Sequence, residues 1–195
     1  LNFDEMNLRE LYWDLRIIAN KYGIENEIRA RFTSNYWKNN FYLTNRQYSA
    51  GEGHMTFPYY TKGGCLAFLY RQDSEYDAYS TKIKEMAASA IYVLFKPILK
   101  RKKIWLVYEK FCSMAQDNGY YFFKYCMENL SEEEKKNIYY VIDKKAPDYE
   151  KIKEYDDHII QFMSLKHVLY VLSAVLYVAS DSRTHLYAWR CKTSL

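Results

Sequence analysis

Apolar positions change their rhythm twice along this chain, and the changes divide it into three stretches. In DEMNLRELYWDLRIIANKY, residues 4–22, Leu8, Leu11, Leu15 and Ile18 recur at helical spacing, with Asp4 placed as a cap and Gly23 as a stop. That spacing predicts an amphipathic helix. From Ile24 to Tyr70 the pattern breaks into aromatic pieces, NNFYLTN, MTFPYY and CLAFLY, separated by SAGEGH and TKGG. Short strands are expected in the second half of this region. Helical periodicity returns between Asp73 and Leu99, most clearly in STKIKEMAASAIYVLF, and gives way at Pro97 and the basic run KRKK to what reads as a connector.

Beyond the connector the texture is different. KIWLVY (103–108), NIYYVID (137–143) and HIIQFM (158–163) are short, continuous apolar runs, separated by helical segments around 119–130 and 148–155. SLKHVLYVLSA then reads as another helix and VLYVA (175–179) as a fourth strand. Strands alternating with helices at this spacing predict right-handed βαβ units and a parallel sheet, roughly half of a doubly wound nucleotide-binding fold. The expected class is α/β: a mixed α+β upstream region over residues 1–95 and a Rossmann-like lobe over residues 96–195.

Composition narrows this only slightly. With 195 residues, 49% of them hydrophobic, the chain can bury a real core. A net charge of +4 is too mild to imply nucleic acid or membrane by itself, so clustering must decide. Cys65, Cys112, Cys126 and Cys191 form neither a C-x-x-C pair nor a His-partnered ligand set, which speaks against zinc and a disulfide framework and fits a reducing, cytosolic setting. No signal-peptide pattern and no apolar run of about 18 residues is present, so the expectation is a soluble or peripheral protein. The first residue is Leu1 rather than Met, which suggests a chain cut from a longer one.

In a parallel sheet, chemistry gathers at the carboxyl ends of the strands, here the loops after Tyr108, Asp143, Met163 and Ala179. After the first strand, EKFCSMAQDNG offers Asp117 or Asn118 as a cap for the helix that begins near Gly119, with backbone N–H groups left over to hold an anion. The plainer alternative is that these residues only cap, while Phe122, Phe123, Cys126 and Leu130 bury one helix face. G-x-G-x-x-G is absent, which disfavours NAD. Asp143 stands where a dinucleotide enzyme places its ribose-binding acid, but without those glycines a solvated or capping role fits it better.

The fourth strand runs into SDSRTHLYAWR, which groups Ser180, Asp181, Ser182, Arg183, His185 and Arg190. His185 can act as general base on an alcohol, and Arg183 or Arg190 can hold a phosphate as a charged fork; the same residues can equally cap a following helix. His54, His158 and His167 are expected to be structural or solvated. Lys96, Lys100, Arg101, Lys102 and Lys103 follow an apolar helix, a combination that suits either an anionic membrane interface or a core-packed helix with a solvated basic linker.

The ordered segments KRKKIWLVYE, AQDNGYYFFKYC, YYVIDKKAPDYEKI and FMSLKHVLYVLSAVLYVASDSRTHLYAWR resemble the amino-terminal lobe of the CDP-glycerol glycerophosphotransferases of teichoic acid biosynthesis, over about residues 96–190. The most specific part is D-N-G-x-x-F-F-x-Y at Asp117–Tyr125. The resemblance implies a two-lobed GT-B-type transferase, peripheral attachment to the inner face of a Gram-positive membrane, and transfer of glycerol phosphate from CDP-glycerol to a lipid-linked polymer. It implies an acceptor loop at Asp117, Asn118 and Gly119, a polar strand end at Ser180, Asp181, Ser182 and Arg183, and His185 as catalytic base, with neither a metal nor a cofactor and no nucleic acid. The family's donor lobe carries a W-H-G-T-like segment that this sequence lacks, so the 195 residues alone are expected to be inactive. Two rival readings stay open: a related GT-B enzyme that moves a sugar or another polyol phosphate, and a non-catalytic docking module.

Overall fold

A computed structural model describes residues 9, 11–29, 47–61, 64–180 and 183–187. The chain divides into two compact units, one of residues 1–75 with 190–195 and the other of residues 76–189. The long helix expected to close the upstream region therefore clusters with the sheet that follows it, and the division falls at 75/76 rather than 95/96.

In the first unit the helix expected over residues 4–22 is not formed by the residues described there. Leu11–Asp14 is a strand (β1), and Arg16–Lys21 (β2) pairs antiparallel with Ile24–Arg29 (β3). Tyr22 and Gly23 make the two-residue turn between them with φ of 56° and 76°. Two successive left-handed residues give the turn whose twist matches a hairpin, so Gly23 closes a hairpin instead of stopping a helix. The strands expected in the second half do form: Tyr48–Ser49 (β4), His54–Tyr60 (β5) and Leu66–Gln72 (β6) make an antiparallel sheet with β1 in the order β1-β6-β5-β4. Asp4, Leu8 and NNFYLTN lie outside the described residues.

The second unit opens with α1, Tyr79–Arg101, which continues through Pro97 into the basic run. Thr81, Glu85, Ala88 and Leu99 are its buried positions, and it packs on a later helix, Leu165–Ser173 (α4). Between them lie Trp105–Tyr108 (β7), Asn118–Asn129 (α2), Glu132–Lys135 (α3), Ile138–Ile142 (β8) and Ile159–Gln161 (β9), and Leu176–Ala179 (β10) follows α4. All four strands are parallel, in the order β10-β7-β8-β9. In chain order this is fourth, first, second, third, which is the arrangement of half a doubly wound sheet.

The core between sheet and helices is built from Val107, Phe123, Cys126, Met127, Ile138, Tyr140 and Ile142, joined by Ile152. One expected helix is corrected. Residues 148–155 form two short 3-10 turns, Pro147–Lys151 and Lys153–His158, because Ile152 between them takes a non-helical φ of −124° and turns into the core instead of continuing a spiral.

Candidate functional site

β7 has β8 on one side and β10 on the other, so the strand order reverses beside it. Ligands of open α/β sheets settle in the crevice outside such a reversal, at the carboxyl ends of the strands. Here those ends are Tyr108–Glu109 and Ala179–Ser180, with the start of α2 between them.

The organising residue is one that the sequence reading passed over. Glu109 is only 2% exposed, and its carboxylate faces the turn that leads into α2. Its Oε1 accepts hydrogen bonds from the N–H groups of Asp117 at 2.9 Å and Tyr120 at 2.8 Å, and its Oε2 from Gln116 N–H at 3.0 Å. Asp117 is the N-cap, as anticipated, and its Oδ1 accepts from Asn118 N–H at 2.7 Å. Gly119 N–H donates to Ser180 Oγ at 3.0 Å, tying α2 to the end of β10. Ala115 N–H donates to Asp148 Oδ2 at 2.9 Å, and Tyr121 N–H to the Asp117 carbonyl at 3.1 Å.

Every backbone N–H from Ala115 to Tyr121 therefore has a protein acceptor. The expectation of free donors for an anion at this helix start is corrected: a buried carboxylate of the chain itself already occupies the position that a phosphate would take. Gly119 owes its identity to the crowding. A Cβ there would lie 3.1 Å from both the Tyr108 carbonyl and Glu109 Cγ.

A second layer holds this loop. The chain after Glu109 turns through Phe111 and Cys112 with φ of 54° and 50°, a left-handed pair that costs each residue about 1 kcal/mol or more. Tyr140 donates its hydroxyl to the Met114 carbonyl at 2.7 Å. Burial, and after it the charge of Glu109, pushes the Tyr140 phenol far above its ordinary range and keeps it a donor. The Cys112 thiol is also pushed well up, by burial first and then by Asp143. It stays protonated and donates to the His185 carbonyl at 3.3 Å.

His185 belongs to the short turn Arg183–Leu186 beyond β10, and its ring lies 4.2 Å, centroid to centroid, from the ring of Phe111. The structure thus brings Glu109, Asp117–Tyr120 and Ser180 into one bonded cluster. It sets His185 against the loop that leaves Glu109. Arg183 opens the turn; Asp181, Ser182 and Arg190 lie outside the described residues.

Asp143 holds its own loop. Burial opposes its ionisation, but the Lys145 N–H, the Gln161 amide and the Tyr76 hydroxyl outweigh that and bring its pKa below the ordinary value. His167 is fully buried and accepts from Met163 N–H at its Nδ1 at 3.0 Å; burial drives its pKa down to about 3, so the ring is neutral. His158 donates from Nδ1 to the Ile138 carbonyl at 3.0 Å, and His54 stacks on Tyr70.

Of the basic cluster, Lys96 lies near the Tyr92 ring and Lys100 donates to the Ala174 carbonyl at 3.3 Å, while Arg101, Lys102 and Lys103 are exposed at the end of α1. Among the described residues no group of three or more His, Cys, Asp or Glu side chains is placed to hold a metal ion. No helix among them is long and apolar enough to cross a membrane.

No family model matches the chain, and no solved structure matches it. One curated relative is the minor teichoic acid biosynthesis protein GgaB of Bacillus subtilis (strain 168), 31% identical over 106 residues, which are 54% of this chain. The matched stretch spans 11% of the length of GgaB. The sequence kinship of this chain is with a protein of teichoic acid biosynthesis.

Proposed function

We propose that this chain is the acceptor-side lobe of a GT-B-type transferase that extends a teichoic-acid-type cell-wall polymer, with CDP-glycerol as donor and glycerol phosphate as the group moved. The observation that carries the reading is the similarity to GgaB over more than half of the chain. The parallel sheet with a polar crevice at its reversal point is compatible with it.

In this reading His185 accepts the proton of the acceptor's terminal hydroxyl as the oxygen attacks the glycerol-bearing phosphorus of CDP-glycerol. The phosphoanhydride bond breaks, and CMP leaves with the bonding electrons. The donor is bound by a lobe outside these 195 residues. Asp117, Asn118 and Gly119 shape the wall of the acceptor crevice, and Ser180 locks that wall to β10. The amides around Asp117 are committed to Glu109, so the acceptor's phosphates fall to Arg183, at the mouth of the following turn. Asp181 and Ser182 complete the polar rim. The name of the relative specifies a teichoic acid and not a donor, which supports a second reading: transfer of a sugar phosphate or another polyol phosphate by the same acceptor lobe.

Calorimetric titration of the chain with short glycerol phosphate oligomers tests the proposal. Saturable binding weakened by Arg183→Gln, with no binding of CDP-glycerol and no CMP release, is the expected result. Binding of CDP-glycerol in preference to the oligomers would overturn the assignment of this lobe to the acceptor; binding of sugar phosphate oligomers alone would select the second reading.

A further inference from the structure

The face of α1 that turns away from α4 is unusually apolar. Met86, Val93 and Leu94 are 71%, 73% and 74% exposed, and Ile83 and Ile98 are more than half exposed. Steps of three and four residues put Ile83, Met86, Leu94 and Ile98 along one stripe, and the same stripe arrives at Arg101 and Lys102.

Those cations do not stand alone. An open cleft of about 380 Å³ at the amino end of the parallel sheet brings Arg101, Lys102 and Lys103 together with Trp105, Lys136 and Asn137. Lys103 takes a φ of 51°, a left-handed turn that a lysine adopts only under constraint, and it delivers the chain from α1 into β7. Two carboxylates also border the cleft. Glu133 pairs with Lys136, and Glu134 is held by the Ser131 hydroxyl and N–H. Arg101, Lys102 and Lys103 have no carboxylate partner among the described residues. The excess of positive charge reaches the neighbouring Lys166, whose pKa is lowered by burial and then by Lys102.

We propose that this cleft seats the phosphate of an anionic membrane lipid while the apolar stripe of α1 lies in the bilayer surface beside it. Each half of the surface accounts for the other. An interfacial helix needs an apolar face that sinks about 5–10 Å and cations level with the headgroups, and the stripe ends where the cations begin. A soluble phosphate would leave the stripe without a role. A second copy docked on the same face would set like charges against each other. The inference does not rest on the transferase reading, since none of its residues belongs to the crevice at the opposite end of the strands.

Vesicle sedimentation tests it, with phosphatidylcholine vesicles prepared with and without phosphatidylglycerol. The chain should bind only the anionic vesicles. Lys102→Gln with Lys136→Gln should weaken binding by roughly fivefold per charge removed, whereas Lys124→Gln with Lys153→Gln, an equal loss of charge outside the cleft, should change it little. Leu94→Ser with Ile98→Ser should abolish binding while circular dichroism and the thermal midpoint stay at wild-type values. Equal losses in the two lysine pairs would reduce the cleft to diffuse charge and overturn the seat. Binding that survives the serine pair, displacement by millimolar inorganic phosphate, or dimerisation of the wild type that is lost in the serine pair would each overturn the membrane assignment.

Discussion

Replacing Glu109 by alanine removes one carboxylate and strands three backbone donors at once, the N–H groups of Gln116, Asp117 and Tyr120. The carboxylate is 2% exposed, so water does not take its place without opening the loop. A hydrogen bond to a charged acceptor contributes about 1.5–3 kcal/mol, and a buried donor left bare costs about 1–3 kcal/mol. Three donors therefore give a loss of about 3–6 kcal/mol, reduced toward the lower end by whatever water enters beside Asp117. Glu109→Gln separates charge from shape. Its remaining carbonyl oxygen can still accept from Asp117 and Tyr120, but its NH₂ meets the Gln116 N–H donor to donor, so about 1–2 kcal/mol is expected to go.

Denaturant unfolding followed by far-ultraviolet circular dichroism measures both losses, and amide hydrogen exchange locates them. In the alanine variant the amides of residues 116, 117 and 120 should lose protection, while those of β8, which Glu109 does not touch, should exchange at the wild-type rate below the global unfolding limit. An alanine variant within about 0.5 kcal/mol of wild type, with those three amides still slow, would show that the helix start is held by something else.

Two further outcomes follow from the same geometry. Gly119→Ala should destabilise the chain by about 1–3 kcal/mol despite alanine's better helix propensity, because the added methyl meets the Tyr108 carbonyl and Glu109 at 3.1 Å; a thermal midpoint at or above wild type would contradict that crowding. His167, with its pKa lowered from 6.5 to about 3 by burial, must charge when the chain unfolds in acid, so its contribution is whole above pH 6.5 and is lost progressively as pH falls from there toward 3. In His167→Gln the stability curve should be flatter across that interval, and an unchanged slope would refute the burial argument.

How much of this was legible in the sequence depends on where each element finds its partners. β7, β8 and β9 announced themselves because strands buried on both faces need continuous apolar runs, and Leu106, Val107, Tyr140, Val141 and Ile160 are all essentially inaccessible. β2 gave the opposite signal. Ile17 and Ile18 are adjacent and both exposed, so no period-two alternation marks the strand, and Leu11, Leu15 and Ile18 happen to fall at helical spacing. The turn that settles the matter is Tyr22–Gly23, which lacks the Asn or Asp that usually flags such hairpins. At the site, the Asp117 cap was legible because its acceptor serves the very next amide. Glu109 was not, because its three donors lie seven, eight and eleven residues away on a loop whose path no spacing rule gives. Ser180 stood out as a polar strand end, yet its partner Gly119 lies 61 residues earlier in the chain.

The Glu109 cluster also changes what the crevice is fitted to recognise. A helix start with bare N–H groups is an anion hole, whereas one filled by a buried carboxylate is an anionic wall. Beside such a wall a hydroxyl-bearing ligand can donate to the exposed edge of Asp117, but a phosphate brought to the same point meets like charge. The division of labour that follows puts the polyol part of an acceptor toward Asp117 and Asn118 and its phosphate toward the turn that begins at Arg183. The bond between Gly119 and Ser180 links the two halves, since it joins the start of α2 to the strand end that feeds that turn. Ser180→Ala should therefore disturb the spacing between hydroxyl and phosphate recognition and weaken acceptor binding without touching either group directly.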